Sequence, residues 1–420
     1  MGDFLLGDLS YFEAGTPEPA LDRHFWSYAG YAWDTWRVSR NLTVNVGLRY
    51  EYTSRLSSSP SEFALPIVSN GEFTGKVATS NDSNGDISTL ASPAFLADFP
   101  GVAVTCRSVG LPDNCTHAPR DQFQPRVGFA WQVNSKTVFR GGGGIFIGHA
   151  LGDYETEESH TFPFQLDNKT QTFSNRLTPP PLNLSTLAGP AISAPGLLSS
   201  PAFRKDPATY QWNVALEREI AKNTNLSVAY VAVLGRNLET LPNGNCCWYD
   251  IPQPVGVVLA PGQKQTQAFP AFASVEYYSY QDTSDYQSLQ VSLNRRVSRS
   301  LILTASFTHA RSIGVSNGLS DPRFPTKGPL YNDVPNALVI SPVYTLPFGV
   351  GQRFLNRKGL INELAGGWQV SGIFSERSGF PFTPTMSGTN LLNYADIASD
   401  LPNRNVQRAP ERSHGQQLVR

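Results

Sequence analysis

Hydrophobic and polar residues alternate along several strand-length segments of this 420-residue chain. In residues 42–53, LTVNVGLRYEYT, every second side chain is Leu, Val or Tyr, and the residues between them are mostly polar. An alternation of this length exceeds an ordinary strand of about 5–6 residues and matches a tilted membrane strand of about 9–11. The same pattern predicts about ten strands in five hairpins: 24–36, 42–53, 124–133, 136–148, 209–220, 225–235, 286–297, 301–312, 336–347 and 367–376.

The connections between these strands alternate between short and long. The predicted short turns are Arg37–Asn41, Asn134–Ser135, Ala221–Thr224 and Ser298–Ser300, and the long connections are 54–123, 149–208, 236–285 and 313–335. Outer-membrane barrels have short periplasmic turns and long extracellular loops. The sequence therefore predicts an all-β fold, a partial antiparallel transmembrane β-barrel with its short turns in the periplasm.

Composition agrees with strands that have one lipid face and one wet face. Charged residues make up 16% and aromatic residues 11% of the chain, and the formal net charge is -1. No stretch approaches the 18 or so apolar residues that a membrane helix requires. A near-neutral charge argues against nucleic acid as a partner. Aromatic residues at 26, 28, 31, 33 and 36, with Tyr50 and Tyr52, are interpreted as girdles at the membrane interfaces.

A soluble β-sandwich or propeller is the structural alternative. It predicts short loops at both ends of the strands, whereas the four longest connections predicted here all fall at one end, and 336–347 and 367–376 flank a longer connection than the other hairpins.

Five segments resemble the Oar-like β-barrel of TonB-dependent transporters, in the order in which that family has them. They are WDTWRVSRNLTVNVGLRYEY (33–52), PRVGFAWQVNSKTVFRGGGGIF (125–146), YQWNVALEREIAKNTNLSVAYVAVLGRNL (210–238), DYQSLQVSLNRRVSRSLILTASFTHARSI (285–313), and YTLPFGVGQRF (344–354) with GGWQVSGIFSERSGFPFT (366–383). The resemblance implies a barrel of about 22 strands with an N-terminal plug. It also implies location in the bacterial outer membrane, and transport that the TonB complex energises.

Measured against that family, the chain is expected to be a fragment. It shows no secretory signal, plug or TonB box, and GDFLLG (2–7) is similar to an internal family segment. The expected organisation is an incomplete barrel segment at 1–23, a receptor-like barrel section at 24–383 and a polar tail at 384–420. The expected partners are outer-membrane lipid, the TonB complex in the full-length protein, and a ligand that could be a siderophore, saccharide, peptide or protein.

Charged residues at polar positions of the strands are the candidate site. They could line the barrel lumen, or each could simply solvate the wet face of its strand. They are Arg49, Glu51, Arg140, Glu217, Glu219, Arg295 and Arg296.

Four cysteines lie in loop-like segments. Cys106 and Cys115 could close a small loop through a disulfide, as an oxidising compartment permits, or remain free thiols. A bond between the adjacent Cys246 and Cys247 would be strained.

Enzymatic and cofactor sites are not expected. RGGGG (140–144) lacks the Lys-Ser/Thr of a phosphate-binding loop and suits a tightly packed strand. GDYETEESH (152–160) does not fit a calcium loop and is interpreted as a solvated acidic loop. No Gly-x-Ser-x-Gly elbow or metal-ligand quartet is present in the sequence. The predicted function is ligand capture and energised transport, and the rival is a surface adhesin or structural barrel without transport.

Overall fold

The computed structural model describes residues 11–14, 22–59, 61–69, 72–148, 163–164, 169–172, 196–199, 202–203, 205–240, 274–277, 279–296, 300–315 and 327–382. Its strands are β1 (Tyr11–Ala14), β2 (Asp22–His24), β3 (Ser27–Ser39), β4 (Leu42–Thr53), β5 (Ser57–Ser59), β6 (Ala64–Ser69), β7 (Glu72–Thr79), β8 (Ala103–Thr105), β9 (Phe123–Asn134), β10 (Thr137–Ile147), β11 (Lys169–Thr172), β12 (Gly196–Ser199), β13 (Ala208–Ala221), β14 (Thr224–Thr240), β15 (Ser274–Tyr277), β16 (Ser279–Arg296), β17 (Leu301–Val315), β18 (Lys327–Pro329), β19 (Asn336–Thr345), β20 (Gln369–Ser371) and β21 (Phe374–Arg377). Its helices are α1 (Pro93–Asp98) and α2 (Leu360–Ala365), with a short 3₁₀ turn at Arg107–Val109.

One large sheet dominates these elements, and we call it the main sheet. Its strands follow the order β20-β19-β17-β16-β14-β13-β10-β9-β4-β3, with β18 on β17 and β21 on β19. Every pairing within it is antiparallel. The antiparallel barrel fold expected from the alternating segments is confirmed, and each of the ten predicted strands has a counterpart. No helix in the described part of the chain is long and apolar enough to cross a membrane.

The register divides the main sheet into two chemically different faces. The apolar face carries Val44, Val46, Leu48, Val127, Phe129, Trp212, Val214, Leu216, Leu289, Val291 and Leu293. The polar face carries Asn45, Gly47, Arg49, Gln124, Arg126, Gln211, Asn213, Glu217, Ser288, Gln290 and Ser292. Because side chains alternate along a strand, each strand contributes to both faces.

Charged residues bound the apolar face at both ends. On β16 they are Arg295 at the short-turn end and Asp285 at the other. Ten residues at about 3.3 Å each, tilted by roughly 45°, span a height of roughly 23 Å. That height matches the apolar band of outer-membrane barrels, about 25 Å.

Most strand ends shift by up to three residues from the prediction, as in β3, and the structure departs further from it in two places. β14 and β16 run beyond the predicted 225–235 and 286–297, and their pairing continues past Gly235 with register shifts. The predicted strand 367–376 divides into β20 and β21. The division lies opposite Pro342, which has no N–H to donate to the ladder and instead accepts from Gly372 N at 3.2 Å.

The glycine-rich segment of β10 is a sheet strand that packs tightly, as its composition predicts. A Cβ at Gly141 would lie 2.8 Å from Asn213 O, and one at Gly143 would lie 2.9 Å from Gln211 O. A larger residue at either position would collide with the β13 backbone.

The long connection between β4 and β9 folds into a small unit of its own. Residues 54–122, which we call the cap, hold the antiparallel pair β6–β7, with β8 parallel to β7. A hydrophobic cluster lies within it, formed by Phe63, Leu65, Ala78, Cys106 and Cys115. The sequence predicted only a long loop here.

Candidate functional site

A shallow pocket lies on the polar face of the main sheet, near the end that carries the long connections. Its lining includes Tyr31 and Trp33 from β3, Gly47 and Arg49 from β4, and Arg126 from β9. Register explains their convergence, since Tyr31 lies beside Arg49 while Trp33, Gly47 and Arg126 form the adjacent row. The pocket therefore results directly from strand pairing.

Gly47 determines the shape of the pocket because it leaves room for the side chain of Trp33. A Cβ at this position would lie 2.2 Å from Cε3 of Trp33, so the indole ring rests on the β4 backbone. Any larger residue would lift Trp33 off the sheet and change the pocket wall.

The pocket region contains polar hydrogens with no acceptor. Gln124, which is 3% exposed, lies next to Arg49 in the ladder. Within the described part of the chain, neither Nε2 of Gln124 nor Nε of Arg126 has a hydrogen-bond partner. Buried donors without acceptors are costly, so ordered water or another acceptor-bearing group is expected beside them.

Two further contacts fix the guanidinium groups. Arg49 donates to Oε2 of Glu51 through Nε at 3.0 Å and Nη2 at 2.8 Å. Cζ of Arg126 lies 4.5 Å from the centroid of the Phe146 ring, a cation–π contact. Arg49 is thus neutralised by its neighbour, whereas Arg126 has an aromatic partner and keeps its hydrogen-bonding capacity. A site of this kind can hold a carboxylate, carbonyl or phosphate oxygen beside two exposed aromatic rings.

The charged residues proposed for the lumen do not form one cluster. Arg49 and Glu51 lie at the pocket end of the polar face, and Arg140 pairs with Glu217 nearer the short turns. Glu219 and Arg296 lie on the same face at the short-turn end. Lumen lining remains a prediction for these six residues.

The expectation for Arg295 requires correction. It is adjacent to Arg296, and neighbouring residues of a strand point to opposite faces. Register pairs Arg295 with Thr224 and Leu303, which places it at the edge of the apolar face. A charge there marks the interface of the band rather than the lumen.

The aromatic residues of β3 also divide between the faces. Tyr28 and Trp36 lie on the apolar face at opposite ends, beside Tyr52 and Val44, which suits two girdles. Tyr31 and Trp33 lie on the polar face and belong to the pocket. Sequence reasoning grouped all of them as interface residues and missed Trp33, Gln124 and Arg126. The glycine in GLRYE was the available signal for the pocket.

The cap is fastened beside this site by a buried ion pair. Arg55 Nη1 and Asp206 Oδ1 are 2.8 Å apart, with side chains 7% and 2% exposed. Gln122 Nε2 donates to Oδ2 of the same aspartate at 2.7 Å, and Arg55 Nε donates to His117 O at 3.2 Å. Since Asp206 lies two residues before β13, this network joins the cap to the main sheet.

A disulfide closes the cap. Cys106 and Cys115 are bonded, with their Cα atoms 5.3 Å apart, which is one of the two alternatives that the sequence left open. Both are fully buried in the cap cluster. Cys246 and Cys247, the acidic segment 152–160 and the turn residues 297–299 lie outside the described residues, as do most of segment 1–23 and all of tail 384–420.

Among the described residues, no group of three or more His, Cys, Asp or Glu side chains could hold a metal ion.

Comparison with known proteins gives one family and several structural likenesses. The outer membrane beta barrel domain family matches residues 1–419. Similar solved structures include the FrpB iron transporter (F5-1 variant) from Neisseria meningitidis, with 10% identity, TM-score 0.39 and coverage of 77% of this chain and 32% of that one. The alcaligin outer membrane receptor FauA from Bordetella pertussis has 11% identity, TM-score 0.35 and coverage of 79% and 36%. The ferric-catecholate import receptor Fiu from K12 E. coli has 12% identity, TM-score 0.35 and coverage of 77% and 33%.

The chain spans about a third of the length of these solved proteins. No curated protein matches it.

Proposed function

The chain belongs to the outer membrane beta barrel domain family, and from that premise we propose that it is the ligand-facing section of a TonB-dependent transporter. The bacterial outer membrane is where such a barrel acts. In this proposal the cap and the polar face capture a ligand at the cell surface, and the TonB complex supplies the energy for transport. Residues 24–383 form the receptor-like section, and 1–23 and 384–420 its flanking segments.

The observation that carries the proposal is the pocket on the polar face, where the rings of Tyr31 and Trp33 lie beside the guanidinium groups of Arg49 and Arg126. Buried donors on Gln124 and Arg126 have no acceptor in the described residues. A wall that only solvates a water-filled lumen does not require exposed aromatic rings beside two guanidinium groups. A ligand with carboxylate, carbonyl or phosphate oxygens and a flat surface would match the guanidinium groups and the rings.

Uptake in the native bacterium tests the proposal. Radiolabelled ferric catecholate, ferric hydroxamate and maltodextrin probes would be offered to four strains: the parent, a deletion of this gene, a tonB deletion, and an Arg126→Ala/Gln124→Ala variant. We expect one probe to accumulate in the parent and to fall at least tenfold in the other three. Ser292→Ala, on the same face but remote from the pocket, is the matched control and should transport normally.

Accumulation that survives tonB deletion would overturn energised transport. No loss of any probe on gene deletion would overturn transport by this protein for those ligand classes.

The ordered cap favours adhesion as a second candidate. A disulfide-closed unit with its own hydrophobic cluster could present a fixed surface to a partner at the cell exterior. Adhesion predicts that deletion of the gene reduces attachment to host or mineral surfaces while uptake of all probes is unchanged.

A further inference from the structure

The connection between β19 and β20 is a compact folded segment. Phe354 N donates to Pro347 O at 2.9 Å, Gly349 N to Phe354 O at 2.9 Å, and Gly351 N to Asn356 Oδ1 at 2.8 Å. Gly349 and Gly351 adopt positive φ angles of 115° and 80°, which tight turns require. The side chains of residues 346–368 are therefore displayed in a defined arrangement.

The helix in this connection, α2, points its apolar side chains away from the rest of the protein. Leu360, Ile361 and Leu364 are 77%, 67% and 75% exposed. The polar Asn362 faces the protein instead, because its Oδ1 accepts from Val350 N at 2.7 Å. A helix in water places its apolar stripe against the protein, so this orientation fits a helix whose outer surroundings are apolar.

The position of α2 relative to the membrane follows from two contacts. Thr345 N donates to Ser300 O at 2.7 Å, which places the end of β19 at the periplasmic, short-turn end of the main sheet. Trp368 donates through Nε1 to Leu364 O at 2.7 Å and lies two residues from Val370, on the apolar face. Tryptophan with a bonded N–H is typical of the lipid–water interface.

The same segment carries a basic group. Arg353, Arg357 and Lys358 are exposed, and Glu363 is the one acidic residue between 346 and 368. A helix with apolar side chains outward and basic residues nearby has the chemistry that binds anionic lipid surfaces.

We propose that residues 346–368 form an interfacial anchor, which seats α2 in the headgroup layer of the periplasmic leaflet and prefers anionic phospholipid. Leu360, Ile361 and Leu364 enter the boundary of the acyl chains, while the three basic side chains contact phosphate groups. The anchor would fix the depth of the barrel in the bilayer. This role goes beyond transport and would hold for any function of the barrel.

Photo-crosslinking of the full chain tests the anchor. A benzophenone amino acid would replace Leu364, and, as the matched control, Asn362. After illumination of isolated outer membranes, mass spectrometry should find phospholipid adducts at position 364 and adducts within the chain at 362. Adducts at 364 with a second copy, with another protein or with the same chain would overturn the proposal, as would equal lipid yields at both positions.

Lipid composition tests the charge preference. The protein labelled at position 364 would be placed in vesicles of phosphatidylethanolamine with or without phosphatidylglycerol. We expect the lipid adduct yield to fall at least threefold without phosphatidylglycerol, and Arg353→Glu/Arg357→Glu/Lys358→Glu to remove the difference. A yield independent of phosphatidylglycerol in the parent protein would overturn the preference for anionic lipid. Heat-dependent gel mobility confirms that each variant is folded.

Discussion

The cap and the main sheet differ in how far they expose large apolar side chains. Phe63 and Leu65 in the cap are each 3% exposed, whereas Leu216 and Leu289 on the main sheet are 45% and 46% exposed. The cap folds by hiding apolar side chains from water, like a small soluble domain. The main sheet satisfies its backbone through the antiparallel ladder and leaves its apolar side chains for lipid. The cap thus folds in water and the main sheet in lipid. Different substitutions should therefore destabilise each region.

We expect the largest effect from a change to the Arg55–Asp206 ion pair, which joins the cap to the main sheet. Asp206→Ala leaves the Arg55 guanidinium buried without its carboxylate, which should destabilise the cap by about 3–5 kcal/mol. Hydrogen exchange should rise across residues 54–122 and remain unchanged in β13 and β14. Arg55→Met/Asp206→Leu should recover part of the loss, because neither charge of the pair remains buried while Gln122 still loses its acceptor. Equal exchange in the single variant and the parent would show that the pair does not hold the cap.

A second change of similar size acts only on the main sheet. Leu289→Arg places a charge near the middle of the apolar band, which should cost about 2–4 kcal/mol. Gln290→Arg, one residue away on the polar face, is the matched control and should cost much less. Urea titration of the protein refolded into phospholipid vesicles measures both. Equal costs for the two variants would contradict the assignment of the faces.

Some features of the structure could be predicted from the sequence, and others could not. Alternation revealed the ten strands because lipid and water impose a strict period of two, and residues 42–53 carry it without interruption. The Arg55–Asp206 pair joins residues 151 positions apart, so no local pattern marks it. The pocket was missed for a related reason, since Trp33, Gly47 and Arg126 meet only through the register of three strands. Arg295 was misplaced because the two adjacent arginines were treated as one feature.

Loss of the disulfide should weaken the cap by less than loss of Asp206. Cys106 and Cys115 are nine residues apart. Closing so short a loop lowers the entropy of the unfolded cap, which raises its free energy by about 2.5 kcal/mol. Cys106→Ser/Cys115→Ser should therefore increase proteolytic cleavage within the cap while the main sheet keeps its heat-dependent gel mobility. Dithiothreitol should mimic the variant in the parent protein and have no further effect on the double variant. Damage to the main sheet would contradict the separation of the two regions.

The smallest expected effect concerns an exposed ion pair on the cap. Arg107 donates to both carboxylate oxygens of Asp113, at 3.0 and 2.8 Å, and this hydrogen bonding lowers the pKa of Asp113 below its ordinary value. Since the pKa is lower in the folded cap than in the unfolded one, the ionised carboxylate contributes stability above the unfolded pKa. That contribution is lost as the pH falls through the folded value.

The difference in cap stability between the parent and Asp113→Asn should accordingly be constant from neutrality to about pH 5 and shrink below about pH 4. Both side chains are 53% exposed, so solvent screening keeps the difference small, and added salt should reduce it further. Hydrogen exchange of cap amides, compared between the two proteins at each pH, measures it. A difference that persists unchanged at about pH 2 would mean that Asp113 acts through its shape and not its charge.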